Sequence, residues 1–181
     1  FNNSGRSDVI FDVAGYYPAD PSAQAARFVP LVPERILDTR DGTGAPQGRV
    51  GPGQSVPLQV PGPGAVPANG VTGVVMNVTE TGASAGSHLT VWPADQPKPV
   101  ASNLNFPAGD TRPNLVVAKV SPTGQVRIFN NSGSVDVIAD VSGYYTSATS
   151  GPADGSGFVP VAPTRILDTR DGTGTSIGPL G

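Results

Sequence analysis

The sequence predicts an all-β protein, an antiparallel β-sandwich of about eight short strands with immunoglobulin-like or jelly-roll topology. Three observations lead to this fold class. The 24 Gly and 20 Pro among 181 residues favour turns, apolar and polar residues alternate along short segments, and no helical stretch interrupts these segments. A small closed β-barrel is the alternative arrangement of the same strands.

Each predicted strand is an alternating segment between two turn-rich stretches. Residues 71–80, for example, place Val74, Met76 and Val78 on one face. The sequence Asn-Asn-Ser-Gly at residues 130–133 predicts a hairpin turn between the last two strands, with Asn at positive φ. The other predicted strands are residues 35–40, 54–60, 87–94, 101–106, 114–120, 125–130 and 135–141.

Two blocks of the sequence occur twice. Residues 1–17 return as residues 129–145 with 13 of 17 positions identical, and residues 28–44 return as residues 158–174 with 14 of 17 identical. The offsets are 128 and 130, so a difference of two residues falls between the blocks. A length change confined to a stretch rich in Pro, Gly, Ala and Ser is typical of a surface linker.

The repeats divide the chain into five parts. We predict a linker at residues 18–27, a complete β-sandwich repeat at residues 28–145 and a second linker at residues 146–157. Residues 1–17 are then the C-terminal hairpin of a preceding repeat, and residues 158–181 are the N-terminal part of a following one. The chain is therefore interpreted as a window onto a longer tandem array.

The two end pieces are too short to assemble a second unit. Because residues 1–17 have nearly the sequence of residues 129–145, they are able to supply the same edge strand in a permuted arrangement. Strand exchange between neighbouring units follows from this interchangeability.

The decamer RILDTRDGTG is identical in its two copies, residues 35–44 and 165–174. Strict alternation places Arg35, Leu37 and Thr39 on one face and Ile36, Asp38 and Arg40 on the other. Charged residues then occur on both faces, unlike in a plain half-buried strand. In a structural interpretation, its Arg side chains hydrogen-bond Asp carboxylates or buried carbonyls and lock the domain's entry against its core, while the DGTG segment makes a turn that needs Gly. In a functional interpretation, it is a polar patch that binds a glycan or a neighbouring repeat. The charged residues of the first copy are Arg35, Asp38, Arg40 and Asp41.

Three further residues complete the predicted binding set. Trp92 is a candidate stacking platform for a sugar ring, as are Tyr144 and Tyr145, although such residues more often pack as core or corner residues. Asn103 and Asn105 lie on the polar side of a strand, where amides bind glycans or form ladders across a sheet.

Lys119 raises the question of an isopeptide bond to an Asn. Its phase with Leu115 and Val117 predicts that it points inward, where an unpaired ammonium is costly. A strand-end Lys whose ammonium reaches solvent is the simpler interpretation. The candidate partners of Lys119 are Asn77, Asn103 and Asn105, and the candidate catalysts are Asp136 and Asp140.

Composition excludes several function classes. The net charge of −3 gives no basic surface for nucleic acid, and no apolar run is long enough for membrane insertion. The chain has no Cys, and its only histidine, His88, lies outside any nucleophile motif. Asp38 and Asp41 lack the spacing of a calcium loop. We expect no enzyme activity, no metal and no cofactor.

An ordered series of motifs spans residues 28–145: RILDTR, NVT, LTVWPA, SNLNF, NLVVAKV and DVIADVSGYY. The series resembles a tandem all-β repeat module of secreted and surface-displayed actinobacterial proteins. The resemblance implies an extracellular or cell-surface location and an accessory or structural role. It implies no ligand and no functional residues.

Two functions remain open at this point. The first is a non-catalytic structural repeat in a surface fibre, stalk or adhesin, whose partners are neighbouring repeats or copies of itself. The second is a carbohydrate-binding accessory module that holds polysaccharide by avidity.

Overall fold

The computed structural model describes residues 5–18, 27–62, 65–146 and 157–179, and these ranges contain ten strands and no helix. The strands are β1 (Ile10–Tyr16), β2 (Arg27–Asp38), β3 (Ser55–Gln59), β4 (Val71–Thr81), β5 (Ser87–Pro93), β6 (Leu104–Phe106), β7 (Thr111–Lys119), β8 (Gln125–Asn130), β9 (Asp136–Thr146) and β10 (Val159–Asp168).

Strands β2 to β9 form a β-sandwich, which we call the module. One sheet has the order β2-β9-β4-β7 and the other the order β3-β8-β5-β6. The antiparallel pairs are nested, β2 with β9, β3 with β8, β4 with β7 and β5 with β6. This is one long hairpin folded over into two sheets, the strand order of a jelly roll. The predicted β-sandwich is confirmed, and the separate sheets exclude the barrel.

The core lies between the two sheets and follows the predicted alternation. In β4, Val74, Met76 and Val78 are all fully buried. They pack in one cluster with apolar side chains of the second sheet, among them Leu58 and Leu89. Burial of such side chains contributes about 1.5 to 3 kcal/mol each, so this interface is the main source of stability.

The predicted hairpin between β8 and β9 is wrong. The two strands lie in different sheets, because the backbone of β8 is already paired with β3 and β5. The positive φ falls on Gly133 and not on an Asn. Asn130 is instead a buried bridge: its Nδ2 donates to the carbonyls of Val50 at 3.0 Å and Gly133 at 2.9 Å, and its Oδ1 accepts from Ser87 Oγ at 2.7 Å.

The first and last strands of the chain pair with each other. β1 lies antiparallel to β10 in a separate two-stranded sheet, which we call the terminal strand pair. The permuted arrangement is therefore wrong for the module, because β2 keeps its own partner β9. Among the described residues, the strands of the two end pieces form this two-stranded sheet with each other.

An aromatic contact joins the terminal strand pair to the module. Phe158 is buried against Val75 and Tyr145, and the centroids of the Phe158 and Tyr145 rings lie 4.6 Å apart. On the β1 side, Ser102 N donates to Asp12 Oδ2 at 3.3 Å. The predicted linkers lie outside the described residues except at their outermost positions, so their interpretation as linkers stays a prediction.

Candidate functional site

The decamer occupies the end of β2 and the turn that follows it. β2 carries an extra residue there, because Arg35 lies opposite Asp140 and Leu37 lies opposite Ala139. The predicted strict alternation is therefore wrong at this point, and residues 36–39 are all buried.

Asp38 is the centre of the decamer's hydrogen-bond network. It is 1% exposed, and its carboxylate accepts from Arg40 N, Nε and Nη2 at 3.0, 2.9 and 2.7 Å and from Arg35 Nη1 at 3.2 Å. The hydrogen bonds from Arg40 lower the pKa of Asp38 to about 2. A buried carboxylate is tolerated here because both of its oxygens are paired.

The decamer also fastens the first strand of the module to the last. Arg35 donates to Asp140 in a bidentate contact, from Nε at 2.9 Å and from Nη2 at 3.3 Å. Thr39 Oγ1 donates to Asp136 Oδ1 at 3.1 Å and accepts from Val137 N at 3.0 Å. These contacts cross from β2 to β9, so the decamer closes the module.

The last residues of the decamer form a tight turn. Asp41 Oδ1 accepts from Thr43 N at 2.9 Å, and Asp38 N donates to Thr43 O at 2.9 Å. Gly44 has a φ of 69°, and a Cβ there would lie 2.0 Å from the carbonyl oxygen of Ile36. Only glycine fits this position without displacing backbone.

The second copy of the decamer rebuilds the same carboxylate centre. Asp168 accepts from Arg170 N, Nε and Nη2 at 3.0, 2.9 and 2.7 Å and from Arg165 Nη1 at 3.0 Å. Arg170 holds the pKa of Asp168 well below its usual range. The identical sequence therefore folds into the same local structure twice.

The second copy closes on β1 as the first closes on β9. Arg165 donates to Asp12 at 2.8 and 3.2 Å, and Thr169 Oγ1 donates to Asp8 at 2.9 Å and accepts from Val9 N at 3.0 Å. The residues Asp8, Val9 and Asp12, in β1 and just before it, are the counterparts of Asp136, Val137 and Asp140.

The two closures differ in apolar cover. Ile36 is 1% exposed in the module, while its counterpart Ile166 is 52% exposed. The module has a second sheet over this face, and no such sheet covers the terminal strand pair within the described residues. The polar network therefore has the same geometry with and without a complete core.

The aromatic stacking platform predicted from sequence is wrong for Trp92. Its side chain is 5% exposed, and its Nε1 donates to Gln96 O at 2.9 Å. The segment after β5 also accepts a hydrogen bond from the buried Thr90 Oγ1 through Ala101 O at 2.6 Å. Tyr145 is likewise buried.

The two predicted Asn residues do not lie in the sheet that carries the first copy of the decamer. Asn103 Oδ1 accepts from Val91 N at 2.7 Å, so this amide completes the edge of β5. Asn105 is exposed in β6, and its Nδ2 donates to Ser102 Oγ at 3.1 Å. Both belong to the side of the module formed by the sheet β3-β8-β5-β6, whereas the decamer belongs to the other sheet. The seven predicted site residues do not form one site.

The prediction that Lys119 points inward is wrong. The buried residues of β7 are Val116 and Ala118, and Lys119 is exposed. It lies opposite Gly73 in the β4–β7 pair, four positions along β4 from Asn77. An isopeptide bond between Lys119 and Asn77 does not fit this register.

His88 is half-buried at the start of β5. Burial lowers the pKa of His88, and the nearby Lys98 and Arg165 lower it further. Its ring centroid lies 6.2 Å from that of Phe129, so the imidazole packs beside an aromatic ring.

Glu80 is a buried carboxylate that sequence reasoning missed. It continues the inward phase of Val74, Met76 and Val78 in β4, and it is 0% exposed. Neither of its carboxylate oxygens has a hydrogen-bond partner. Burial raises the pKa of Glu80, the backbone of the neighbouring Arg112 acts against this rise, and the carboxylate of Asp110 adds to it, so that the pKa is raised overall. Its alternation with apolar residues is the sequence signal that predicts this burial.

Comparisons with known proteins give no family assignment. No protein-family description and no curated protein matches the chain. Among the described residues, no group of three or more His, Cys, Asp or Glu side chains is arranged to hold a metal ion. Within the same ranges, no helix has the length and apolar character that crossing a bilayer requires. The function is therefore argued from the decamer and its contacts.

Proposed function

We propose that the chain is part of a non-catalytic, extracellular structural array, such as a surface fibre, stalk or adhesin, in which each jelly-roll module is one bead. The observation that carries this proposal is the use of the decamer. In each copy the central carboxylate, Asp38 or Asp168, accepts its hydrogen bonds from Arg side chains of the same decamer. The decamer joins β2 to β9 in the first copy and β10 to β1 in the second. Every bead needs one such segment to fasten its first strand to its last strand. This need accounts for the exact repetition of the decamer.

The contact between repeats supports the same proposal. Phe158, the first residue of the second FVP block, is buried on the outer face of the module against Val75 and Tyr145. Its counterpart Phe28 lies against the same Tyr145 ring at a centroid distance of 5.4 Å. A joint built from repeated aromatic residues orients each bead on the preceding one.

Electron microscopy of the native protein that carries these repeats tests the array. We expect regular filaments with an axial repeat that corresponds to one unit of about 130 residues, since 128 and 130 are the sequence offsets. Isolated beads without regular spacing would contradict an ordered array.

Carbohydrate binding by avidity is the second candidate. It is favoured by the outer face of the sheet β3-β8-β5-β6, where Asn105 and Arg127 are exposed and Lys98 lies 4.6 Å from the centroid of the half-buried Phe129 ring. Because a jelly roll hosts unrelated functions, the fold does not decide between the two candidates.

Affinity electrophoresis of the 181-residue chain in polysaccharide gels separates the candidates. The structural proposal predicts no retardation relative to a non-binding protein. Retardation that is abolished in Arg127→Ala and retained in Arg112→Ala, an exposed Arg of the other sheet, would favour the glycan-binding function.

A further inference from the structure

The terminal strand pair repeats the register of the module's own closure. β1 carries the sequence DVIFDVAGYY where β9 carries DVIADVSGYY, and each lies against a strand that begins at an FVP block. All six Cα partners of the β1–β10 pair have an equivalent in the β2–β9 pair. Three of these equivalences are Asp12–Arg165 with Asp140–Arg35, Val13–Thr164 with Val141–Glu34, and Tyr16–Val159 with Tyr144–Val29.

The two strands of this pair are held unequally by the module. β10 is anchored by Phe158, which is buried against Val75, Tyr145 and the partly buried Val117. β10 also lies against β5 and β7, whereas β1 has a smaller contact with β7 and the hydrogen bond from Ser102 N to Asp12. β1 is therefore the strand that leaves at lower cost.

The open side of β1 points to the same conclusion. In the module, β9 lies between β2 and β4, so it is paired along both edges. Among the described residues, β1 pairs along one edge only. Its apolar side chains Ile10, Phe11 and Tyr16 are exposed, whereas Ile138, the counterpart of Ile10, is buried in the module.

We infer that β1 is a donor strand that exchanges between molecules, so that β1 of one chain pairs with β10 of a second copy of this chain. The inference rests on the proposed array and names a second copy of this chain as the partner of β1. Every hydrogen bond between β1 and β10 that breaks within one molecule forms again between two molecules. The equilibrium between pairing within one chain and pairing between two chains is therefore set by chain connectivity and not by a difference in hydrogen-bond energy.

The length of the connection to β1 determines how the exchange depends on protein concentration. Ten residues, 17–26, separate Tyr16 from Arg27 at the start of β2, and an extended chain of this length spans roughly 35 Å. This ten-residue connection keeps β1 near its own β10 at an effective concentration on the order of mM. Exchange between chains therefore increases with protein concentration.

Cysteine cross-linking tests the exchange, because the chain has no Cys of its own. Tyr16→Cys in one chain and Val159→Cys in a second chain with a mass tag are mixed under native conditions and oxidised. We expect tagged heterodimers whose fraction rises with concentration, at least about tenfold above a control pair. The control is Tyr144→Cys mixed with Val29→Cys, the same register inside the module, where β9 is enclosed by β2 and β4.

A chain that carries both Tyr16→Cys and Val159→Cys reports pairing within one molecule. If this chain cross-links internally but mixed chains never exceed the control pair, exchange between molecules is overturned while the array proposal stands. If it does not cross-link internally either, then β1 does not pair with β10 and the exchange is also overturned. The axial repeat seen by electron microscopy is independent of both results.

Discussion

The carboxylate of Asp38 holds the decamer together at the scale of single residues. Asp38→Asn removes the charge that both Arg35 and Arg40 pair with, and hydrogen bonds to charged groups contribute about 1.5 to 3 kcal/mol to stability. Because both Arg side chains are about half exposed, we expect a loss of about 1 to 2 kcal/mol. Urea unfolding followed by tryptophan fluorescence measures it. Asp41→Asn, on the exposed turn, is the control and should cost less.

The pH dependence of unfolding gives a second test of Asp38. Its pKa is lowered to about 2 in the folded protein from 3.8, so its stabilisation is present above about pH 4 and is lost as the pH falls from 4 towards 2. Unfolding free energies measured across this range should fall less steeply in Asp38→Asn than in the unsubstituted chain. Identical slopes would contradict the paired carboxylate.

The pH dependence of stability expected from Glu80 is opposite to that expected from Asp38. Its pKa is raised by burial, so the protonated form stabilises the fold, and this stability is lost as the pH rises from the unfolded value of 4.5 through the folded one. Glu80→Gln should therefore be as stable as the unsubstituted chain at pH 4 and more stable at pH 8. Glu34→Gln, at the exposed second glutamate, is the control substitution. Chemical denaturation at the two pH values is the measurement.

At the scale of elements, the turn that ends the decamer requires glycine. Gly44→Ala places a methyl group 2.0 Å from the carbonyl oxygen of Ile36 at a φ of 69°, and the left-handed conformation alone costs about 1 to 2 kcal/mol. We expect the module to lose at least about 2 kcal/mol. Gly86→Ala is the matched control, because its nearest contact would be an ordinary 3.7 Å. Equal unfolding midpoints for the two variants would show that the turn does not depend on Gly44.

The elements also mark where sequence reasoning succeeds and fails. Alternation identifies the buried face of β4 through Val74 and Met76, because one face of that strand meets the core along its whole length. Alternation fails in β2, where a bulge turns residues 36–39 inward, and in β7, where Lys119 follows the exposed phase. A local pattern does not contain the information that selects a bulge or a face.

The candidate site shows the same limit. The decamer's internal Arg–Asp pairing follows from residues that are close in sequence, such as Asp38 and Arg40. Its partners Asp136 and Asp140 lie far along the chain, 97 residues from Thr39 and 105 from Arg35, and are set by the strand order. The burial of the Trp92 side chain also depends on how the segment after β5 folds against it. Partner strands and loop positions are properties of the assembled sheets and were not predictable from single segments.

At the scale of the whole molecule, one closure is used at two places. In the module it joins β2 to β9 over a complete core, and in the terminal strand pair it joins β10 to β1 with an exposed face. The polar decamer contacts are the same in both, while the apolar cover differs. The decamer therefore fastens the paired strands in the same way at both places, and only the module adds the apolar burial of a second sheet.

Hydrogen exchange read by mass spectrometry tests this central claim most directly, by comparing the amides of β1 and β9 in the unsubstituted chain and in Arg165→Ala. We predict that β1 is protected, although less than β9, because its pairing with β10 lacks a second sheet. In Arg165→Ala, protection should fall in β1 and stay unchanged in β9. If β1 of the unsubstituted chain exchanges as fast as an unstructured peptide, the decamer does not join β10 to β1 and the account is wrong.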